Sequence, residues 1–439
     1  MVKFDVNPVP GTRDFLPEDM ILREKIIEKI KSVFRLYGFD PIETPVFEKL
    51  EILEGKYGEE ERLIYKFEDL GGRKLGLRYD LTVPLARIIS RFPGIPKPFK
   101  RYHISRVWRF DRPQRGRYRE FWQCDVDIVG SKEIIADAEV IRVAYVALKK
   151  IGMDNFFFRV NNRKILTAFA KSLGLDESKS IEIFRAVDKL DKIGKDGVKK
   201  ELLKKGFDED IVNQVMEFIS IEGGNEDKIE KIREMLSDYS EAIDGLDELQ
   251  QLIKYAEYFG VESKLIIFDT SLVRGLDYYT GSVFEIWSKE FSRAIGGGGR
   301  YDKLIGMFSS QDIPAVGISL GIDPIIDLMK GNNLVEIEKT YAKVFVAFTD
   351  FDDRILEYGL KIAEELRNNG IPTKVNLTKR RISKQLEYAD KLSIPLVLII
   401  GNNEVENSTV QLKLMKERKQ VTLNRNEIID KIKGILMNV

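Results

Sequence analysis

The sequence predicts an α+β domain built on an antiparallel sheet, interrupted by a helical insertion and followed by a C-terminal α/β domain. Three observations support this fold class. Strand-like alternation and helices mix in the first part of the chain, helical periodicity without strong strands fills the middle, and strands alternate with helices near the C-terminus. The predicted bounds are 1–162 and 259–330 for the first domain, 163–258 for the insertion, 331–340 for a polar linker and 341–439 for the last domain.

The first domain is predicted to open with an amphipathic helix from Pro17 to about Tyr37, which Gly38 ends. The next segment is extended, and its Pro41 and Pro45 suit an edge or interface strand better than a central one. The elements predicted after it are a short hairpin over 67–77, a helix over 81–92, an arginine-rich hairpin and a helix over 134–151.

The arginine-rich hairpin is the segment RVWRFDRPQRGRYREFWQCDVD, which runs from Arg106 to Asp127. Its flanks alternate like strands, and its centre carries the proline and glycine that turns need. Its arginines are Arg106, Arg109, Arg112, Arg115, Arg117 and Arg119. Because guanidinium groups bind phosphate and carboxylate oxygens through paired hydrogen bonds, the loop could fold over a polyanion. A solvated charged hairpin is an equally good interpretation of this stretch on its own.

The composition limits the possible functions. The 439 residues include 71 Lys and Arg against 71 Asp and Glu, so a nucleic-acid partner would have to be met by local basic patches. Cys124 is the only cysteine, which excludes an internal disulfide and fits a reducing cytoplasm. Because the N-terminus lacks an apolar signal core and no apolar run is long enough for a membrane helix, we expect a soluble cytoplasmic protein without a membrane partner.

His103 is the only histidine, which excludes a multi-histidine zinc site and leaves little scope for a Ser-His-Asp relay. It alternates with apolar neighbours in KRYHISRVW, so we predict a packed or hydrogen-bonded strand residue. No residue is predicted as a metal ligand. The chemistry is expected to come from arginines, carboxylates and tyrosines, with bound magnesium as a possible addition.

The last domain is predicted from the strand and helix alternation that begins at Ala342, which indicates an α/β unit with a mostly parallel sheet. From Tyr341 onward there are 17 Lys and Arg against 13 Asp and Glu, a weak indication of nucleic-acid binding for which a solvated helix face is the commoner explanation. The domain has neither GxGxxG nor GxxxxGK[ST], so no nucleotide site is predicted there.

Three further segments carry candidate chemistry. In LRYDLTVP, Asp80 and Thr82 would share one face of an extended chain and could accept an ammonium group, or could cap the helix that follows. LVRGLDYYTG places Arg274 near Tyr278 and Tyr279. The glycines of GGGGRYD allow close approach of the backbone, although their spacing favours a flexible turn between strands.

These segments together resemble the histidyl-tRNA synthetase family of class II aminoacyl-tRNA synthetases, over essentially the whole chain. PGTRDFLPEDM with GFDPIETPVFE is similar to motif 1, which places Pro45 on the dimer-interface strand. RVWRFDRPQRGRYREFWQCDVDIVG is similar to motif 2, and LVRGLDYYTGSVFE to the histidine-specific signature. The resemblance implies a class II catalytic core and an enzyme that activates histidine with ATP and transfers it to tRNA(His).

The resemblance also implies roles for residues that bind ATP. Arg109 and Arg274 would be catalytic and flank the α-phosphate, Asp111 and Phe121 would recognise adenine, and Arg117 would reach the distal phosphates. Mg²⁺ would bridge the phosphate oxygens. For histidine, the implied ligands of the ammonium group are Asp80, Thr82 and Gln123. The implied ligands of the imidazole are Asp127 and Tyr279. Further residues implied to bind histidine in this pocket are Arg274, Tyr278 and Tyr301.

The implied partners are histidine, ATP, tRNA(His) and a second copy of the chain, paired through the motif 1 region. The last domain would bind the anticodon and the insertion would lie against the acceptor arm. One position departs from the family pattern: motif 3 reads GIDP, with Pro324 where an arginine is expected. We hypothesise that Arg117 and magnesium take over its contact with the γ-phosphate. The alternative is a non-catalytic synthetase-like regulatory subunit of histidine biosynthesis.

Overall fold

The computed structural model describes residues 4–55, 58–113, 116–273, 278–290 and 294–437, with the backbone alone at 58–60. The chain divides into two compact units. The larger unit comprises Met1–Asp14 and Ile26–Val335, and the smaller one Phe15–Lys25 and Glu336–Val439. The first helix, α1 (Pro17–Leu36), contributes residues to both units. None of the described helices is both long and apolar enough to cross a membrane.

The larger unit contains, among its described residues, an eight-stranded sheet and a three-stranded sheet. The strands are β1 (Asp40–Pro41), β2 (Phe47–Lys49), β3 (Lys66–Glu68), β4 (Lys74–Leu77), β5 (Phe99–Trp108), β6 (Glu120–Val129), β7 (Phe156–Asn162), β8 (Ile266–Phe268), β9 (Ser282–Ser288), β10 (Ala294–Arg300) and β11 (Ala315–Gly321). The large sheet has the order β1-β5-β6-β11-β10-β9-β7-β8, and β2-β4-β3 form the small one. All pairings of the large sheet are antiparallel except β1 with β5 and β7 with β8, which lie at its edges.

Helices cover this sheet and form the insertion. They are α2 (Leu50–Leu53), α3 (Thr82–Arg91), α4 (Ile134–Ile151), α5 (Arg163–Ser172), α6 (Glu177–Val187), α7 (Leu190–Lys204), α8 (Glu209–Phe218), α9 (Asn225–Met235), α10 (Ser240–Tyr258) and α11 (Ile322–Gly331). The bounds predicted for α4 and the start predicted for α1 are confirmed. In the insertion, Phe169 of α5 stacks on Phe218 of α8 with ring centroids 3.9 Å apart, which gives these helices a core of their own.

The prediction of a turn at GGGGRYD is wrong, because Gly296–Gly299 lie inside β10 near the centre of the large sheet. A Cβ atom at Gly298 would lie 1.9 Å from the carbonyl oxygen of Gly317 on β11. At Gly299 it would lie 2.8 Å from the ring of Tyr279. The glycines are therefore required by close neighbours across the sheet, which their spacing in the sequence does not reveal.

The smaller unit has a five-stranded sheet in its described part, with the order β13-β12-β14-β15-β16. Its elements are β12 (Val344–Phe348), α12 (Asp353–Asn368), β13 (Thr373–Val375), α13 (Ile382–Lys391), β14 (Leu396–Ile400), α14 (Asn402–Asn407), β15 (Thr409–Leu414), β16 (Lys419–Asn424) and α15 (Ile428–Met437). β12 pairs in parallel with β13 and β14, whereas β14, β15 and β16 pair antiparallel. The expected mostly parallel sheet is therefore mixed, because a short connection from β15 to β16 permits only antiparallel pairing.

Candidate functional site

A cavity of about 380 Å³ lies in the larger unit, over the face of the sheet where β6, β10 and β11 run side by side. It gathers every predicted site residue that the structure describes. These residues are Asp80, Thr82, Arg109, Asp111, Arg117, Phe121, Gln123, Asp127, Tyr278, Tyr279 and Tyr301. Arg274 lies outside the described residues. Side chains far apart in the sequence thus line a single cavity.

The polar floor of the cavity comes from β6. Gln123, Asp125 and Asp127 alternate along this strand, so their side chains point to the same face. The facing residues on β11 are Gly321, Ser319 and Gly317. A Cβ atom at Gly317 would lie 2.0 Å from Asp127 Oδ1, so only glycine leaves room for the carboxylate there.

Asp127 is held from two sides. Arg101, which faces it across β5 and β6, places Nη2 2.7 Å from Asp127 Oδ2. The Tyr301 hydroxyl donates a hydrogen bond to Asp127 Oδ1. Burial raises the pKa of the Asp127 carboxyl despite the Arg101 guanidinium. Burial and the neighbouring Asp127 also hold the pKa of Tyr301 well above its usual value, so the phenol remains the donor.

Aromatic rings form one wall of the cavity. Tyr278 meets Tyr301 edge to face with ring centroids 5.9 Å apart, and it meets Tyr279 at 4.9 Å. All three tyrosines are buried. Such a wall, next to the carboxylate of Asp127, can surround a small planar ring and offer it hydrogen-bonding groups at its edge.

Asp80 caps the helix that follows it, as one of the two interpretations made from the sequence predicted. Its Oδ1 accepts a hydrogen bond from the backbone N–H of Val83 at 3.1 Å, which caps the first turn of α3. Asp80 also lines the cavity beside Thr82. The cap therefore fixes the carboxylate at the cavity wall.

The arginine-rich segment is a hairpin, as predicted, in which β5 and β6 pair from Phe99 opposite Val129 to Trp108 opposite Glu120. Arg109 Nε donates a hydrogen bond to the carbonyl oxygen of Tyr79 at 2.9 Å, and its guanidinium carbon lies 5.4 Å from the centroid of the Phe121 ring. Arg117 forms an ion pair with Asp111 at 2.5 Å. Since these side chains line the cavity, the segment is more than a solvated hairpin.

His103 is a buried strand residue, as predicted. Its Nε2 lies 2.9 Å from Glu43 Oε1. Burial and the nearby Arg101 guanidinium lower the pKa of His103 to about 4. The imidazole is therefore neutral near pH 7 and has a structural role outside the lining of the cavity.

Comparison with known proteins identifies the family. The sequence profile described as histidyl-tRNA synthetase matches residues 11–325. The chain belongs to the histidyl-tRNA synthetase family. A profile described as an anticodon binding domain matches residues 343–435, in the smaller unit. The histidine–tRNA ligase of Aeropyrum pernix is 41% identical over 436 residues, 98% of each chain, and that of Korarchaeum cryptofilum is 43% identical over 432 residues, 97% of this chain and 98% of the relative.

Solved structures confirm the predicted fold class. The crystal structure of histidyl-tRNA synthetase from Nostoc sp. PCC 7120 matches 98% of this chain and 100% of its own, with a TM-score of 0.85 and 31% identity. A Bacillus halodurans C structure, titled an ATP phosphoribosyltransferase regulatory subunit/histidyl-tRNA synthetase, covers 91% of this chain and 99% of its own, with a TM-score of 0.75 and 24% identity. That second likeness shows the fold alone.

Pro324, where the histidyl-tRNA synthetase pattern leads us to expect an arginine, lies in the first turn of α11 and lines the cavity. The adjacent Asp323 accepts hydrogen bonds from Arg13 Nη2 at 2.5 Å and from the backbone N–H of Trp122 at 2.9 Å. The Arg13 guanidinium carbon also lies 3.3 Å from the centroid of the Tyr118 ring. An arginine from the N-terminal segment is thus held next to Pro324, which the sequence did not lead us to expect.

Arg101 and Asp125 are among the buried residues of the site that were not predicted from the sequence. The alternation of Gln123, Asp125 and Asp127 was visible and could have identified Asp125 as a residue facing the cavity. Arg101 could not be identified in this way. Its role depends on its position opposite Asp127, and the register of β5 with β6 sets that position.

Proposed function

We propose that the cavity is the site where histidine is activated with ATP before transfer to tRNA(His). Histidine–tRNA ligation, by a class II aminoacyl-tRNA synthetase, is the function of the family to which the chain belongs. The proposal rests on one observation, namely that two kinds of groups line the same cavity. Arginines suited to phosphate lie beside carboxylates and tyrosines suited to an ammonium group and an imidazole.

In the first step, an oxygen of the histidine carboxylate attacks the α-phosphorus of ATP. The bond from that phosphorus to the bridging oxygen breaks, and pyrophosphate leaves with the electron pair. Negative charge builds up on the equatorial oxygens, which fixed cations stabilise. Arg109 is positioned for this by its bond to the Tyr79 carbonyl, and we assign the second catalytic cation to Arg274. In the second step, a terminal ribose hydroxyl of the tRNA attacks the acyl carbon and AMP leaves.

The remaining ATP contacts are assigned to the hairpin loop and the start of β6. Phe121 offers a ring on which adenine can stack, and Asp111 an acceptor for its amino group. Because Asp111 and Arg117 form an ion pair, we expect ATP to exchange that pair for its own contacts, with Arg117 turning to the distal phosphates. Mg²⁺ would enter the site bound to the phosphate oxygens of ATP. The carboxylate of Glu285, which lines the cavity, is an oxygen ligand of the type it prefers.

Histidine is assigned to the floor and the tyrosine wall. Asp80, Thr82 and Gln123 are proposed to hold the ammonium group, and Asp127 and Tyr279 to contact the two imidazole nitrogens. An analogue without a ring nitrogen would leave buried polar groups unpaired. Such a mismatch can reduce kcat/KM by roughly four to five orders of magnitude.

The wider organisation follows from the same function. We propose a catalytic core of 1–162 and 259–330, an insertion of 163–258 that contacts the acceptor arm, and a C-terminal domain of 341–439 that binds the anticodon. A homodimer through the motif 1 region and a cytoplasmic location complete the proposal. The regulatory-subunit alternative has less support, because relatives named histidine–tRNA ligase match nearly the whole chain.

The test is histidine-dependent exchange of labelled pyrophosphate into ATP. The wild-type chain is expected to catalyse it, and Arg109→Ala and Arg274→Ala are each expected to reduce kcat/KM about a hundredfold or more. Arg112→Ala is the matched control, since Arg112 lies in the same loop without lining the cavity, and it should retain activity within about threefold. No exchange by the wild-type chain, or a loss below tenfold in both alanine variants, would contradict the proposal.

A further inference from the structure

Among the described residues, three buried acceptor oxygens of the floor lack a hydrogen-bond donor: Gln123 Oε1, Asp125 Oδ1 and Asp127 Oδ2. Asp127 Oδ2 has an ion-pair partner, Arg101 Nη2 at 2.7 Å. Gln123 Oε1 and Asp125 Oδ1 have none, and their residues lie two apart on the same face of β6. The Gln123 amide is oriented by its other end, because Nε2 donates to Ser319 Oγ at 3.0 Å. Unpaired buried acceptors are strongly unfavourable in a folded protein, so a ligand that brings donors is the natural partner of this pair.

The charge around Asp125 indicates what kind of donor fits. Asp80, Asp125 and Asp127 are all buried carboxyl groups of this cavity. The buried cation below them is Arg101, which forms an ion pair with Asp127 and whose Nη2 also donates to the Leu81 carbonyl oxygen at 3.1 Å. Among the described residues the buried carboxyl groups thus outnumber the buried cation, and a ligand with several N–H donors and a positive charge would balance them.

We infer that Asp125 is a further substrate-binding residue, which accepts a hydrogen bond from the α-ammonium group of the amino acid together with Asp80 and Gln123. Arg101 is then a positioning residue. Its ion pair with Asp127 orients that carboxylate for the imidazole, whereas Asp125 is left to contact the ammonium group. Asp127 is already bonded to Arg101 and Tyr301, whereas Asp125 keeps an oxygen for the ligand. This inference depends on the proposed function, since it assumes that the cavity binds histidine.

The arrangement links binding to the release of a proton. Burial raises the pKa of Asp125 to about 7, with Arg101 and Ser319 opposing the rise and Asp127 and Asp80 adding to it. The group facing Asp125 from β5 is His103, which is neutral at this pH. In the empty cavity near pH 6.5 the Asp125 carboxyl is therefore largely protonated. An ammonium group stabilises the carboxylate, so binding should expel that proton into solution.

The experiment compares two analogues that share the imidazole ring. Histidinol keeps the amine, and imidazolepropionic acid lacks it. In Asp125→Asn, histidinol should bind about tenfold to a hundredfold more weakly, and imidazolepropionic acid should bind within about threefold of wild type. In Asp125→Asn the KM for histidine should rise, whereas the KM for ATP should stay unchanged. Asp302→Asn is the control, since it removes a half-buried carboxylate outside the cavity lining and should leave both analogues unaffected.

Proton release supplies a second measurement. Calorimetry at pH 6.5, in two buffers of different ionisation enthalpy, should show more protons released when histidinol binds to the wild-type chain than when it binds to Asp125→Asn, because any proton lost from the imidazole of histidinol is common to both. Equal release, or equal weakening of both analogues in Asp125→Asn, would overturn the inference even if pyrophosphate exchange is normal. Absence of exchange in the wild-type chain would instead refute the proposed function. If the asparagine variant does not fold, Asp125→Ser removes the same carboxylate with a smaller side chain.

Discussion

Arg101→Met should destabilise the larger unit in a strongly pH-dependent manner. Arg101 is fully buried and its guanidinium forms an ion pair with the buried Asp127. Methionine fills much of the same volume without a charge, so the variant leaves Asp125 and Asp127 as buried carboxyl groups without their cation. Removing one partner of such a buried pair typically reduces the free energy of unfolding by about 3 to 5 kcal/mol.

The pH dependence follows from the direction of the pKa shifts. The folded-state pKa values of Asp125 and Asp127 are raised, so the folded state holds protons that the unfolded state releases, and stability falls as pH rises through these values. Since Arg101 lowers both pKa values, the variant should raise them further. The loss of stability should therefore be largest at pH 8, about 3 kcal/mol, and smaller at pH 5.5, where the Asp125 carboxyl, with its pKa of about 7, is protonated in the wild-type chain as well.

Urea unfolding followed by tryptophan fluorescence measures this prediction in the relevant unit, because Trp108, Trp122 and Trp287 all belong to it. Arg87→Met is a suitable control. Arg87 pairs with Glu48 away from the cavity and is partly exposed, so its removal should be less damaging and should leave the KM for histidine unchanged. An Arg101→Met variant as stable as wild type at pH 8, or equally destabilised at both pH values, would refute the reasoning.

Three further predictions concern residues of the cavity. Pro324→Arg should lower the KM for ATP in pyrophosphate exchange if a γ-phosphate contact is missing; an unchanged KM in a folded variant would mean that another cation already fills this role. Gly298→Ala should lower the thermal midpoint markedly or prevent folding, because its Cβ would overlap the Gly317 carbonyl at 1.9 Å, and a wild-type melting curve would argue against the strand packing. Tyr301→Phe removes the hydrogen bond to Asp127 and should raise the KM for histidine about tenfold in the same exchange assay. A KM less than about twice that of the wild-type chain would contradict this prediction.

Local sequence signals were sufficient for many elements. The predicted bounds of α4 match the structure, because an amphipathic repeat and a glycine stop depend only on neighbouring residues. The arginine-rich hairpin was likewise predicted from alternation and its turn residues. The glycine-rich segment was not, since glycine has the same appearance in a turn and in a strand whose neighbours approach closely.

Motifs and periodicity were sufficient to predict the family, helices and hairpins, and the residue types of the cavity, because these signals depend on neighbouring positions in the chain. Contacts between distant segments place β10 near the centre of the large sheet, Arg13 on Asp323 and Arg101 on Asp127, and they leave Asp125 Oδ1 without a donor among the described residues. The physical reason is that strand register and burial arise from contacts between segments distant in the chain, and these contacts set which carboxyl groups are paired and which are open to a ligand.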